Sequence, residues 1–406
     1  MLKFIIRDIY ILKSDKMNNL KQPVQKSKYS NKCMVLTVIF FVIYSAMFLY
    51  LFHQQYYFGN YAWMSDMLMH IDFFKTGENL YSLTYVCLGL LDKLPFPGEA
   101  IAVYQTGMLL LGVYATKKLL QFLMPGRDKW IVWVYAWMCN MFFKIIIPLI
   151  PFIGTFRYEV LLNFNVYHNP TYIAMKPFAI FSVYYFLTFI KTYHSERIGV
   201  KKWLIFAGLM FLTTAFKPNF IVGFSLAVLV VLIFDFIRHR GKNILNYIIV
   251  GTTVLPSIAL VIFQQSQVFD DKSHLRIGFM TALNAMDKHS LITLFLSMVF
   301  PIAITLYCFK DIFKDKFYAF GILQMLTNLC ITFFVYEDGW RLHHGNFIWS
   351  SYFAVGIFCA VSMYKHNKLV QTNRKDAVII TSAILGAHFM GWVNYVFDLL
   401  NGGRPF

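Results

Sequence analysis

Charge is scarce in this chain of 406 residues: Asp, Glu, Lys and Arg make up 14% of it, against 58% hydrophobic residues. With a mean hydropathy of +0.55, that balance excludes an ordinary soluble domain. Cysteine is sparse as well. Residues Cys33, Cys87, Cys139, Cys308, Cys330 and Cys359 are scattered, mostly within apolar stretches, with no CxxC or His–Cys spacing. They read as small hydrophobes, not as a disulfide framework or a metal site. No Walker A, GxGxxG or GxSxG motif is present, so a cytoplasmic nucleotide or nucleotide-sugar site has little to rest on. Internal repeats, Gly/Ser linkers and low-complexity tracts are missing too, which leaves one integral domain as the simplest organisation.

Long apolar runs are what the chain has in quantity. They fall near 33–52, 99–123, 130–153, 171–192, 203–216, 219–237, 244–263, 290–309, 318–335, 347–364 and 376–398. The pattern predicts an all-α polytopic membrane protein with about eleven transmembrane helices. Residues 1–32 read as a cytoplasmic tail, 33–398 as the integral domain and 399–406 as a short outer tail, with Met17 an alternative start. Eight Lys/Arg precede the first run and no small-residue cleavage site follows it, so that run reads as a retained anchor. The run 203–216 is short for a span, and Lys217-Pro218-Asn219 separates it from the next; the two read as a hairpin.

The net charge of +17 would suggest nucleic acid in a soluble protein, but here its distribution follows topology, and no nucleic-acid partner is expected. With the N-terminus inside, 26 of the 37 Lys/Arg fall on the cytoplasmic side and twelve of the twenty acids outside. A multi-pass protein of the inner or plasma membrane is expected, and its unusual polar residues collect on the outer side.

The first outer loop, 53–98, is long enough to suggest a task. Asp66 and His70 are spaced i, i+4, on one face of a helix starting near Ser65, while Asp72 lies about 240° round from Asp66. Residues 81–91 read as one or two amphipathic helices in the interface. A carboxylate held in a partly apolar cleft suits a general base for a hydroxyl, with the histidine orienting it or the substrate. The alternative is a helix cap beside a surface histidine. In the second outer loop, with Arg157 and Glu159, Asn169-Pro170 is a helix-start signal that leaves His168 unexplained. Lys176, inside the next span, must snorkel or pair, an anionic ligand being one partner.

At the hairpin tip, Lys217 and the helix start at Asn219 favour anions, a plain breaker turn being the other reading. The fourth outer loop carries Asp270, Asp271, His274 and Arg276. The fifth is the densest, with Glu337, Asp338, Arg341, His343, His344 and Asn346 within about ten residues. Arginine suits bidentate phosphate binding. His343 and His344 are adjacent and ill placed to share an ion, and no HExxH spacing occurs, so no metal site is expected among them. No cofactor is named by the sequence; a divalent cation is left open.

The acid after the first span (Ser65-Asp66 through His70-Ile71) is followed by the interfacial segment 80–93. A Lys-Pro-Asn-Phe break stands at 217–220, and Glu337, Arg341, His344 and Asn346 stand in a late outer loop. Together these resemble the GT-C superfamily of polytopic glycosyltransferases, which take sugars from lipid-phosphate carriers. The resemblance implies that Asp66 activates the acceptor and that Lys217, Arg341 and His344 bind the donor phosphate; His70 is expected to orient Asp66 or the acceptor. Asp72, His168, Lys176, Glu337 and Asn346 are further substrate- or phosphate-binding candidates. The implied partners are a polyprenyl-phosphate-linked sugar donor, a glycan or glycolipid acceptor, and membrane lipids. Two departures stand out: the adjacent acidic pair of the family is absent, and no large soluble C-terminal domain follows, unlike an oligosaccharyltransferase. A lipid-linked repeat-unit polymerase or ligase, and a flippase or transporter of lipid-linked glycan, are the rival expectations.

Overall fold

The computed structural model describes residues 29–77, 80–146, 161–194, 196–268 and 274–403. The chain enters through a 29-residue helix, α1 (Ser30–Phe58). Two short helices follow, α2 (Met67–Thr76) and α3 (Leu83–Leu91). Then come α4 (Pro97–Leu123), α5 (Lys129–Asn140), α6 (Pro170–Thr192), α7 (Val200–Phe216) and α8 (Asn219–Arg238). The second half holds α9 (Ile244–Thr252), α10 (Leu255–Val268), α11 (Thr281–Met286), α12 (Ser290–Tyr307), α13 (Lys316–Phe334), α14 (Trp349–Gln371) and α15 (Lys375–Leu400). Two three-residue strands, β1 (Leu275–Ile277) and β2 (Val335–Glu337), pair antiparallel with Arg276 opposite Tyr336.

The outer helices expose many large apolar side chains. Val35, Val38, Val42 and Ile43 on α1, Ile262 on α10 and Ile379 on α15 are all exposed. A contiguous jacket of this kind needs hydrocarbon around it, not water. Among the described residues eight helical segments are long and apolar enough to cross a membrane, against the eleven expected from the runs. The difference lies in α4, α5 and α7. Gln105, Thr106, Thr116, Lys117 and Lys118 break the apolar character of α4. Helix α7 has 17 residues, and α5 stops after 12, at Asn140, although the apolar run continues beyond it.

One helix forms the axis. Within α14 nearly every side chain is buried, whereas most of α1 faces outward. A helix with no outward face must let its neighbours come close, and small residues permit it. A Cβ on Gly356 would lie 2.0 Å from the Phe164 ring, and one on Gly321 of α13 would lie 2.5 Å from Val361 of α14. On the far side, Gly391 of α15 meets backbone instead, 2.2 Å from the Lys144 carbonyl oxygen.

Residues 141–146 and 161–169 are irregular backbone inside the bundle, so their polar groups need side-chain partners. Asn163 Oδ1 accepts from the Lys144 amide at 2.7 Å, and Asn165 Nδ2 donates to the carbonyls of Cys139 (3.0 Å) and Phe142 (2.6 Å). His388 of α15 bonds the Phe143 carbonyl oxygen through Nδ1 at 2.5 Å and the Phe300 amide through Nε2 at 3.2 Å. This buried amide and imidazole layer holds the floor beneath the segment that leads into α6.

Candidate functional site

The polar loops meet at one end of the bundle, and local chemistry explains how. Asn169 caps α6: its side-chain oxygen accepts the Tyr172 amide at 2.9 Å, and Pro170 starts the helix where a missing N–H costs nothing. The same side chain has a second task. Its Nδ2 donates to Asp66 Oδ2 at 2.6 Å, and the Asp66 amide donates to the His168 carbonyl at 2.9 Å. Asp66 stands just before α2, whose last turn closes on Gly77 in the left-handed conformation that glycine tolerates.

From Asn169 the contacts run on. Thr171 Oγ1 donates to Asn169 Oδ1 at 2.6 Å and accepts from Lys217 Nζ at 3.1 Å. Lys217 lies between α7 and α8, where Pro218 breaks the helical run, and its ammonium sits 4.5 Å from the centre of the Trp349 ring. Two residues on, Asn219 Nδ2 donates to the Asn346 carbonyl oxygen. Asn346 Nδ2 in turn donates to Glu337 Oε2 at 2.6 Å, and Arg341 Nε reaches the same oxygen at 3.1 Å. A continuous path of side-chain bonds and one short stretch of backbone therefore joins the first loop to the fifth.

Three further side chains hold these loops in place. Ser82, the cap of α3, donates to the Phe216 carbonyl at 2.7 Å. Gln264 of α10 donates to the carbonyls of Tyr81 (2.9 Å) and Thr214 (3.0 Å). Asp338 bonds the His274 amide at 2.6 Å and Arg276 Nε at 2.8 Å, pinning β1 to the start of the fifth loop.

Burial pushes the Asp66 carboxyl above the usual carboxylate range, and the Lys217 charge and the Asn169 hydrogen bond pull part of the way back. Burial likewise lowers Lys217, which Asp66 and Glu337 partly restore. His168 is held down to about 3 by burial and by the Lys217 charge, so it is a neutral ring at pH 7. The site thus offers one carboxylate with a raised affinity for protons and one ammonium shared between two acids.

No family model matches the chain, and no curated protein matches it. The reading of the site therefore rests on its own geometry.

Several sequence candidates are drawn together here: Asp66, Asn346, Lys217, Glu337 and Arg341, with His168 beside Trp349 at 5.9 Å between ring centres. Others are placed differently. His70 does not orient Asp66; its amide makes the ordinary helical bond to the Asp66 carbonyl, while its ring packs on Tyr85 at 4.6 Å and its Nδ1 is buried with no partner among the described residues. Asn169 has the position expected of His70. Asp72 is exposed on α2, and its backbone carbonyl accepts from Thr76. Lys176 turns away to Asn165 Oδ1 at 2.5 Å and the Phe164 ring at 3.8 Å, tying α6 to the buried amide layer. His344 is exposed and lies against Trp340. Arg157, Glu159, Asp270 and Asp271 lie outside the described residues.

Glu337 takes up part of the Arg341 fork, so this arginine meets an anion as half of an ion pair and not as a bare cation. The gap lined by Ala282, Tyr336, Glu337, Arg341 and Asn346 is too small to hold a water molecule. The residues that sequence reasoning missed are Asn169 as a partner of Asp66, Thr171, Trp349 and Tyr81. The charges of Arg341, Glu337 and Asp66 all act on the Tyr81 hydroxyl, which places it among them.

Proposed function

We propose that the chain is a membrane glycosyltransferase of GT-C type that moves a sugar from a polyprenyl-phosphate carrier to a glycan or glycolipid acceptor. In this reading α4, α5 and α7 also contribute to crossing, giving about eleven passes, and the polar end of the bundle faces the extracytoplasmic side of the cell membrane. The observation that carries the proposal is the bonded path from Asp66 through Asn169, Thr171 and Lys217 to Asn346, Glu337 and Arg341. It sets a proton acceptor and a cation within a single site, supplied by four separate segments.

The chemistry follows from charge. The acceptor hydroxyl attacks the anomeric carbon, and its proton passes to Asp66. As the bond between that carbon and the phosphate oxygen breaks, the departing phosphate gains negative charge. Lys217, held at the site by Thr171 and Trp349, supplies the compensating positive charge, and a fixed ammonium in a poorly hydrated site stabilises such charge strongly. Asn169 holds the Asp66 carboxylate toward the acceptor. Arg341 and Asn346 keep Glu337 paired, so that the Lys217 charge is not fully cancelled.

The test is transfer of labelled sugar from synthetic polyprenyl-phosphate donors by the purified chain, comparing wild type with Asp66→Asn. The variant is expected to fold normally and lose transfer by at least about 100-fold, the usual worth of a positioned general base. Full activity in a folded Asp66→Asn protein would refute the assignment. Movement of intact lipid-linked glycan across vesicles, with no donor cleaved, would favour a flippase instead.

A further inference from the structure

We infer a second site, a divalent metal site of the zinc class, at the opposite end of the helices that carry the first. His194 follows α6, Asp235 lies on the last turn of α8, and His239 caps the end of α8, its amide still bonded to the Asp235 carbonyl and so on the same face. One ligand atom from each falls within 4.8 Å of the others. His194 Nε2 is 3.3 Å from Asp235 Oδ2. Two ligand atoms sharing one tetrahedral zinc, with bonds of about 2.0–2.1 Å, stand about 3.3 Å apart.

The surroundings are those of a built site. A metal-binding imidazole needs its second nitrogen tied, so that the first presents its lone pair. His239 Nδ1 is bonded to the Asp235 carbonyl at 2.8 Å, which makes Nε2 the nitrogen that would present its lone pair, and His194 Nδ1 faces the Tyr247 hydroxyl at 3.4 Å. The Tyr193 hydroxyl donates to the Asp235 carboxylate. Asn246 of α9 bonds the carbonyls of Tyr193 (2.6 Å) and Glu196 (2.9 Å), fixing the backbone that carries His194. All three side chains are half-buried, so a fourth position stays open to water.

Two imidazoles and one carboxylate suit zinc among the common divalent ions, because the harder magnesium and calcium prefer oxygen. The imidazole rings are stacked at 3.9 Å, and zinc is expected to turn them edge-on. Lys316 lies within electrostatic reach of Asp235 and opposes a cation there. Bound zinc would join the end of α6 to the end of α8, the two helices whose other ends hold Asn169 and Lys217.

The experiment uses the full chain in detergent, stripped with chelator and titrated with zinc against a chromophoric competitor, with cobalt(II) as a visible probe. One zinc per chain is expected. His194→Ala and His239→Ala should each weaken binding at least about tenfold, and Tyr193→Phe by about tenfold as a loss outside the ligand set. Lys316→Met should tighten binding, and His53→Ala, on exposed α1, should leave it unchanged. A raised melting temperature on adding zinc should vanish in His239→Gln, a conservative change at a half-exposed position that carries the test if His194→Ala does not fold. Absence of retained zinc, or binding that neither histidine change weakens, would overturn the inference.

Discussion

Replacing Asn169 with aspartate separates the two tasks of that side chain. The aspartate keeps an oxygen for the Tyr172 amide and the Thr171 hydroxyl, so the α6 cap survives, since Asn and Asp cap about equally well. What is lost is the Nδ2 donor 2.6 Å from Asp66 Oδ2, and a second carboxylate takes its place. A hydrogen bond to a charged group is worth about 1.5–3 kcal/mol, and about 1.4 kcal/mol corresponds to one pH unit. The acid limb of the transfer-rate profile should therefore move up by one to two pH units, and further if the two carboxylates share one proton.

A substrate-free reading is available from melting temperature. A carboxyl whose proton affinity is raised by folding stabilises the folded state below its unfolded pKa and loses that contribution as the pH rises through the folded one. Asn169→Asp should thus melt close to wild type near pH 4 and below it at pH 8. Initial rates against pH and thermal melts at both pH values check the two halves. An acid limb superimposed on that of wild type, in a protein whose melting is equally insensitive to pH, would refute the coupling of Asn169 to Asp66.

Lys217→Arg tests the cation: burial lowers the lysine, so its charge is lost with rising pH below the ordinary lysine range, and arginine should carry the alkaline limb of the rate profile to higher pH. His70→Phe should leave the acid limb in place, because the ring packs on Tyr85 and does not touch the Asp66 carboxylate; a shift of a pH unit in the same assay would contradict that packing. Gly356→Ala should destabilise by about 1–3 kcal/mol, the usual cost of overpacking, because its Cβ would stand 2.0 Å from Phe164; thermal or denaturant unfolding in detergent reads the loss.

Hydropathy located most of the helices because burial in hydrocarbon leaves a long local signature. It failed where an apolar run is not helical. Residues 141–146 of the run hold irregular backbone, and what permits this is the set of bonds from Asn163, Asn165 and His388, residues farther along the chain. The Lys217-Pro218 break was legible because proline acts within a few residues. The function of Asn169 was hidden by its own clarity, since a cap signal explains the residue fully until Asp66, 103 positions earlier, is seen beside it. Spacing suggested that His70 would face Asp66, but an i, i+4 relation fixes only the helix face; Tyr85 on the neighbouring helix determined where the ring went. The pairing of β1 with β2 and the grouping of His194 with Asp235 are likewise contacts between distant segments, for which one sequence holds no periodic trace.

The most enclosed of the described spans, Trp349–Gln371, is synthesised after most of the helices that pack around it. During translation the preceding segments must reach the bilayer without their axle and keep Phe164, Phe220 and Gly321 beside a vacant seam. A nascent chain halted before this helix is therefore expected to hold its membrane segments loosely and to be open to proteolysis, and these segments are expected to lock together only when the helix arrives.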